Sequence, residues 1–233
     1  MQTRRRLFAA LAALSTAAVL VAGCSSSSKT STEALPEAAT LLTDSSQTTK
    51  DLESVYLDLT VTGQIEGLPV KKLTGDLTNV PSVAAQGNAS ITMAGSDVDI
   101  EFIVFDTVLY AALTPDNWID FGPAADIYDP SAILNPDTGL ANMLASFADP
   151  KSEATETING VQTVRVTGKV STDAVNKLVP QLKATAPVPG AAWIRKDGNH
   201  DLVQAKLDPS AGNDIKMTLS DWGKTVTVTR PAV

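Results

Sequence analysis

Apolar and polar side chains alternate with a period of two along much of this chain, and this alternation is what most constrains its fold. It is clearest from residue 54 onward, where four apolar residues share one parity: Val55, Leu57, Leu59 and Val61. Successive side chains of a β-strand point to opposite faces of a sheet. The pattern therefore predicts a strand that is buried on one face only.

Similar stretches follow, and together they predict about ten strands. Beyond the first, these are Lys72–Thr78, residues 88–93, Val98–Val104, Val108–Leu113, Glu153–Thr157, Val161–Val170, Trp193–Lys196, Leu202–Leu207, Ile215–Leu219 and Val226–Thr229. Helical spacing predicts two or three helices, over Glu33–Leu52, Leu140–Phe147 and Thr172–Leu182. Short connections favour antiparallel pairing, and a sheet this wide must curl. The predicted fold is α+β, a large curved antiparallel sheet with helices laid against its concave face.

The inner face of such a sheet would carry small and aliphatic side chains, because aromatic residues make up only 5% of the chain. A concave sheet lined in this way leaves an apolar space that suits a hydrocarbon chain, unless the helices pack down and fill it. The pattern alone favours the filled core. Strand parity nominates ten lining residues, although a shift of one residue would turn any strand over. They are Val55, Leu57, Leu59, Val61, Ala89, Ile91, Met93, Ile100, Phe102 and Val104.

The first residues of the chain have the layout of an export signal. Three arginines at 4–6 precede the apolar stretch Leu7–Ala22, which is shorter than the roughly 20 residues that a membrane span needs. Small residues then lead to Cys24, the only cysteine. This order predicts a signal peptide over residues 1–23.

The sequence Val21-Ala22-Gly23-Cys24 resembles the bacterial lipobox, in which the cysteine thiol is diacylated before cleavage. Acylation at Cys24 would hold the protein on a membrane surface without crossing it. An ordinary signal with a chance cysteine is the alternative. The Ser- and Thr-rich residues 24–33 are predicted to be a flexible tether, and residues 34–233 a single domain.

Composition excludes several classes of protein. The chain has 26 Asp and Glu against 18 Lys and Arg, and three of those arginines lie in the predicted signal. A nucleic-acid binder would carry a basic face instead. A lone cysteine at the signal junction excludes disulfides, cysteine-based metal sites and a redox pair.

The sequence also lacks a recognisable catalytic or cofactor motif. His200 is the only histidine, it lies in a turn-like stretch, and no Gly-x-Ser-x-Gly elbow accompanies it. Asp126, Asp129 and Asp137 do not have the spacing of a calcium loop and are better explained as turn residues. No glycine-rich phosphate loop is present. We therefore expect no enzyme activity, no metal and no cofactor.

Several segments carry a family resemblance. They are the lipobox with its serine tether, Gly75–Thr78, Gly95–Asp97, Phe105–Tyr110, Asp120–Pro130 and Leu134–Asn142. Together they resemble the mycobacterial LppX/LprG lipoprotein family over nearly the whole chain, closest to its LprG branch. The resemblance implies a half-barrel sheet, similar to the LolA and LolB carriers, with an apolar cavity between sheet and helices.

The resemblance also implies a ligand, a location and a partner. The ligands would be triacylated glycolipids (phosphatidylinositol mannosides, lipomannan and lipoarabinomannan) or triacylglycerol, carried across the cell envelope. The protein would be anchored on the outer, periplasmic face of the cell membrane, or be found in the cell wall or secreted. It would act beside a major-facilitator efflux transporter.

Three functions remain open from the sequence. The first is a lipid carrier, and the second is a scaffold or regulator of an envelope transporter with a filled core. The third, a lipid hydrolase, lacks a nucleophile and base that we can identify. The segment Asp120–Pro136 is either a rim or lid of the cavity or an ordinary loop.

Overall fold

The computed structural model describes residues 34–233, and one 11-stranded sheet dominates this part of the chain. The predicted signal peptide, Cys24 and the tether lie outside the described residues. Within the described range, no helix has both the length and the apolar character that a membrane crossing requires.

Of the three α-helices in the described range, one precedes the first strand and two lie in connections between strands. The strands are β1 (Ser54–Thr62), β2 (Val70–Thr78), β3 (Ala84–Met93), β4 (Ser96–Phe105), β5 (Val108–Ala112), β6 (Trp118–Pro123), β7 (Phe147–Ile158), β8 (Val161–Val170), β9 (Val188–Arg195), β10 (Leu202–Ser210) and β11 (Asn213–Ser220). The helices are α1 (Ala38–Lys50), α2 (Leu140–Ala145) and α3 (Thr172–Leu178). Short 3₁₀ turns occupy Ala124–Asp126, Pro130–Leu134 and Pro180–Leu182.

The strand order across the sheet is β6-β5-β4-β3-β2-β1-β11-β10-β9-β8-β7, and every neighbouring pair is antiparallel. The sheet is unclosed, with edges at β6 and β7. Strands β1 and β11 pair in its middle, with Leu59 opposite Met217. They join an N-terminal half-sheet (β1–β6) to a C-terminal half-sheet (β7–β11). The predicted α+β fold with a large antiparallel sheet is confirmed.

Two glycines mark a close approach of β2 and β3. Gly75 and Gly87 lie opposite each other in the register of these strands. A Cβ at Gly75 would lie 2.2 Å from the carbonyl oxygen of Gln86, and one at Gly87 would lie 2.0 Å from that of Thr74. Only glycine allows this approach, which is typical of a point where a sheet curls.

The predicted strand Val226–Thr229 is wrong. The chain beyond Ser220 runs outside the sheet, where the Ser54 hydroxyl donates to the carbonyl oxygen of Lys224 and the Arg230 guanidinium lies 5.5 Å from the centre of the Tyr110 ring. Alternation alone did not make a strand here, because β11 is already paired on both sides and leaves no edge for the chain that follows it.

Other boundaries also differ from the prediction. Strand β6 runs into the segment expected to be a rim, a lid or a loop, because its Asp120, Gly122 and Pro123 are residue types typical of turns. Strand β9 begins at Val188 rather than Trp193, since Gly190 and the alanines beside it give no periodic signal. All three helices are shorter than predicted, and β7 begins at Phe147 rather than at Glu153.

Helix α1 begins at a carboxylate cap. The Glu37 side chain accepts hydrogen bonds from the Thr40 amide at 2.6 Å and the Thr40 hydroxyl at 2.8 Å. These bonds lower the pKa of Glu37, because they stabilise its ionised form. The helix packs against α2, β7 and β9, which places it over the C-terminal half-sheet.

Candidate functional site

An apolar cavity of about 180 Å³ lies under the N-terminal half-sheet. On the side facing the sheet, the cavity is closed by residues 124–134, a segment after β6 that contains two 3₁₀ turns. We call these residues the cover segment. The cover segment contributes Ile127, Tyr128 and Pro130. Strands β2–β5 contribute Val70, Leu73, Ala89, Ile91, Ile100, Phe102, Leu109 and Ala111.

The cavity exists because small side chains line the sheet where no α-helix covers it. Alternate positions of β3 carry Ala85, Gly87 and Ala89, and Ala111 lies two strands away on β5. The 3₁₀ turn Pro130–Leu134 packs against β2 and β3. Small side chains beneath a short cover leave space that larger ones would fill.

One side of the cavity opens to solvent through apolar side chains. Met93, Leu113 and Phe121 line the cavity and are 43%, 50% and 39% exposed; we call these three residues the mouth. Ile119, opposite Ala111 on the edge strand β6, is exposed as well. Exposed apolar patches that continue into an apolar cavity mark binding sites for apolar ligands.

The ten residues nominated from strand parity separate into two groups. Five line the cavity: Ala89, Ile91, Met93, Ile100 and Phe102. The other five are buried in the core without lining it: Val55, Leu57, Leu59, Val61 and Val104. That any of the ten residues contacts a bound lipid stays a prediction.

The cavity also has lining residues beyond the ten nominated from strand parity. The segment Asp120–Pro136, expected to be a rim, a lid or an ordinary loop, supplies both the mouth residue Phe121 and the cover segment. The available signal was that apolar residues such as Ile127 and Tyr128 stand among prolines and aspartates. Leu73 lies on the predicted strand Lys72–Thr78 and also lines the cavity.

The cavity wall carries no charged side chain, and its polar side chains are Thr92 and Tyr128. The Thr92 hydroxyl donates to the Asp97 carboxylate at 2.7 Å. The Tyr128 hydroxyl is buried and has no hydrogen-bond partner within residues 34–233. Burial raises the pKa of Tyr128, and the nearby Asp129 adds to the effect, so the phenol stays protonated.

His200 and Asp129, both singled out in the sequence, make local structural contacts and do not line the cavity. Nδ1 of His200 lies 3.0 Å from the carbonyl oxygen of Arg195, in the connection between β9 and β10. The Asp129 carboxylate accepts from the Ser131 amide at 3.0 Å and so caps a 3₁₀ turn. Larger hollows of about 430 and 660 Å³ are open to solvent and have polar residues such as Lys72 and Glu66 on their walls.

Known proteins resemble this chain along nearly its whole length. The family model described as LppX_LprAFG lipoprotein matches residues 37–228. The chain is 56% identical to the lipoarabinomannan carrier protein LprG of Mycobacterium tuberculosis, over 98% of this chain and 96% of that protein. It is 58% identical to the protein of the same name from Mycolicibacterium smegmatis, over 100% of both.

Two solved structures share the fold. The crystal structure of LprF from Mycobacterium bovis matches with a TM-score of 0.77 and 32% identity, over 85% of this chain and 98% of that one. The crystal structure of the Mycobacterium tuberculosis lipoprotein LppX matches with a TM-score of 0.65 and 26% identity, over 82% and 97%.

Proposed function

The chain belongs to the LppX_LprAFG lipoprotein family, and on that premise we propose that it is a lipid carrier rather than an enzyme. Its cargo is a triacylated glycolipid (a phosphatidylinositol mannoside, lipomannan or lipoarabinomannan) or triacylglycerol, which it moves across the cell envelope. The observation that carries this proposal is the apolar cavity, whose wall bears no charge and whose mouth is apolar. The name of the LprG relatives supports a glycolipid cargo.

The physical need for such a carrier is large. Moving one acyl chain of roughly 16 carbons into water costs on the order of 12 kcal/mol, at about 0.8 kcal/mol per CH₂. A lipid with three chains therefore stays in its bilayer unless an apolar container receives it. The container does no covalent chemistry, and it leaves the sugar head group in water.

Uptake of a whole lipid requires the cavity to widen. About 180 Å³ is less than the roughly 300–1,000 Å³ typical of a site for even a drug-sized ligand. The cover segment is the part that moves, because it consists of short 3₁₀ turns rather than a long helix. Three hydrogen bonds hold it: Ala124 N to Thr107 O at 2.9 Å, Gln181 Nε2 to Ile127 O at 2.7 Å and Asn79 Nδ2 to Leu134 O at 2.9 Å.

In the proposed function, the protein is attached to the membrane through Cys24. An acylated Cys24 holds the protein on the outer face of the cell membrane, and the tether of some ten residues lets the domain stand about 15–20 Å away. From there the mouth reaches the bilayer that supplies the lipid. A major-facilitator efflux transporter is the proposed membrane partner.

Native mass spectrometry tests the proposal. Protein carrying Cys24→Ala, produced without acylation in a host that makes triacylated lipids, is expected to retain lipid. Ala89→Trp places a bulky ring in the cavity and should lower the lipid-bound fraction at least tenfold. Asn88→Trp is the matched control, because Asn88 is the exposed neighbour of Ala89 on the opposite face of β3.

Two outcomes would contradict the proposal. Parent protein that is folded, thermally stable and free of lipid would favour the scaffold function. A folded Ala89→Trp variant that retains as much lipid as the Asn88→Trp variant would place the bound lipid elsewhere.

A further inference from the structure

Residues 224–230 cross the outer face of the N-terminal half-sheet, the face opposite the cavity; we call these residues the strap. At one end, the carbonyl oxygen of Lys224 accepts a hydrogen bond from the Ser54 hydroxyl at 2.6 Å. At the other end, the Arg230 guanidinium lies 5.5 Å from the centre of the Tyr110 ring. Because Ser54 begins β1 and Tyr110 lies on β5, the strap reaches across five strands.

The strand register gives the length of this crossing. Successive pairs place Ser54 in one row with Val108 of β5. Four strand spacings of about 4.8 Å make roughly 19 Å, and Tyr110 lies two residues beyond Val108. Six residue steps separate Lys224 from Arg230, and an extended chain covers at most about 3.3–3.6 Å per step. The strap therefore runs nearly extended.

Burial on the outer face follows the same line. Ser54, Thr78 and Ala84, which belong to this row, are at most 4% exposed, and Tyr110 is 2% exposed. Outer-face residues further along β2, β3 and β4 are exposed, among them Lys72, Asn88 and Glu101. The buried positions thus lie where the strap begins and where it ends.

The alternation within the strap has the same explanation. Val226 and Val228 are half-buried, whereas Thr225, Thr227 and Thr229 are exposed. This is the pattern of an extended segment that is covered on one side. The valines that suggested a strand in the sequence therefore reflect a covered side without strand pairing.

Strand β5 connects the strap to the cavity. Leu109 and Ala111 line the cavity, and Tyr110 between them lies on the outer face beneath Arg230. Strands β5 and β6 have only five and six residues, and β6 is the edge of the sheet. A short edge pair beside a cavity has few packed contacts, so it is prone to local opening.

Building on the proposed function, we propose that the strap braces β5 and β6, and that Arg230 is a positioning residue that holds the cavity wall through Tyr110. The brace limits local opening of the edge, which also carries the mouth residue Phe121 on β6. The rate at which bound lipid escapes then depends on a segment that lies on the opposite face of the sheet.

Hydrogen exchange and lipid release test the inference together. The Cys24→Ala protein is loaded with a triacylglycerol, and its release to phosphatidylcholine vesicles is timed. Arg230→Ala removes the contact with the Tyr110 ring, so it should speed release about two- to fivefold. Amide exchange of residues 108–123, followed by mass spectrometry, should quicken by a similar factor. A chain that ends at Gly223 lacks the whole strap and should show at least about a tenfold change in both.

Two variants and one region serve as controls. Lys224→Ala removes a basic side chain that is 63% exposed, but it keeps the backbone carbonyl that bonds Ser54, so both rates should stay at the parent values. Arg230→Lys keeps a cation near the ring and should retain most of the effect of the arginine. Amide exchange in β8 and β9, far from the strap in the strand order, should not change.

The possible failures are distinguishable. Parent protein that binds no triacylglycerol contradicts the proposed function, while exchange at residues 108–123 still tests the brace. Parent rates in Arg230→Ala and in the shortened chain overturn the inference, as does faster exchange without faster release. Exchange that quickens equally in β8 and β9 overturns it as well, because the strap would then stabilise the whole domain rather than the cavity edge.

Discussion

The two half-sheets share one strand pattern but differ in what covers their inner faces. In the C-terminal half-sheet, Val166, Ile194 and Leu207 are at most 1% exposed, and helix α1 packs against β7 and β9. In the N-terminal half-sheet, the short cover segment leaves a cavity, and the mouth residues remain 39–50% exposed. The C-terminal half is a filled core, whereas the N-terminal half is hollow along parts of β2–β5.

This difference shows that side-chain volume and cover, rather than alternation, decide whether a sheet face becomes core or cavity. Strand β11 places Ile215, Met217 and Leu219 in the core, whereas β3 offers Ala85 and Ala89 on either side of a glycine. Alternation assigns a side chain to a face, but it carries no information about the layer above. The same substitution should therefore cost less stability at the cavity than in the filled core.

Inserting a tryptophan should give the largest contrast. Ala205 on β10 is 2% exposed within the filled core, so Ala205→Trp overpacks it and should cost about 3 kcal/mol or more. Ala89→Trp enters the cavity and should cost less than about 1 kcal/mol. Urea unfolding monitored by circular dichroism measures both. Equal destabilisation by the two variants would mean that the N-terminal half has no usable space.

Much of the fold was predictable, because its strands are long and half-buried. Residues 54–62, 98–104 and 161–170 alternate or cluster strongly enough to be assigned as strands, and short connections gave antiparallel pairing. The edge strand β6 was not predictable, since its Asp120, Gly122 and Pro123 are residue types typical of turns. The final segment 226–229 alternates but follows β11, which is already paired on both sides.

The candidate site was only partly predictable. Parity placed Ala89 and Phe102 on the cavity face, yet it gave Leu57 the same role, although that residue lies in the filled part of the core. What separates them is the helix or turn that packs above each strand, which is a long-range contact. Tyr128 was missed for the same reason, because its burial depends on β2–β5 and not on its own neighbours in sequence.

Removing side-chain volume should give a smaller contrast of the same kind. Leu207 and Leu73 lie on interior strands and are 1% and 3% exposed, but only Leu73 lines the cavity. Leu207→Ala should cost about 3–5 kcal/mol, since it opens a new void in packed core. Leu73→Ala should cost about 2 kcal/mol, because the space it frees joins the existing cavity and fewer contacts are lost.

Chemical denaturation of the lipid-free Leu207→Ala and Leu73→Ala variants measures the loss of unfolding free energy in each. Equal costs would indicate that the cavity collapses in solution. Lipid retention gives a second measurement, because Leu73→Ala widens the cavity and should bind at least as much lipid as the parent.

Substitutions at the mouth should have the smallest effect on stability but should slow the uptake of lipid. Leu113→Ser and Phe121→Ser alter exposed side chains, so each should change the free energy of unfolding by less than about 0.5 kcal/mol. Each should slow lipid uptake from vesicles about two- to fivefold, because a half-buried apolar contact with the entering chain is lost. Val83→Ser is the control, since Val83 is 47% exposed in the β2–β3 connection and does not line the cavity. If Val83→Ser slows uptake as much as the mouth variants do, general surface hydrophobicity rather than this opening governs transfer, and the hollow half has a different entrance.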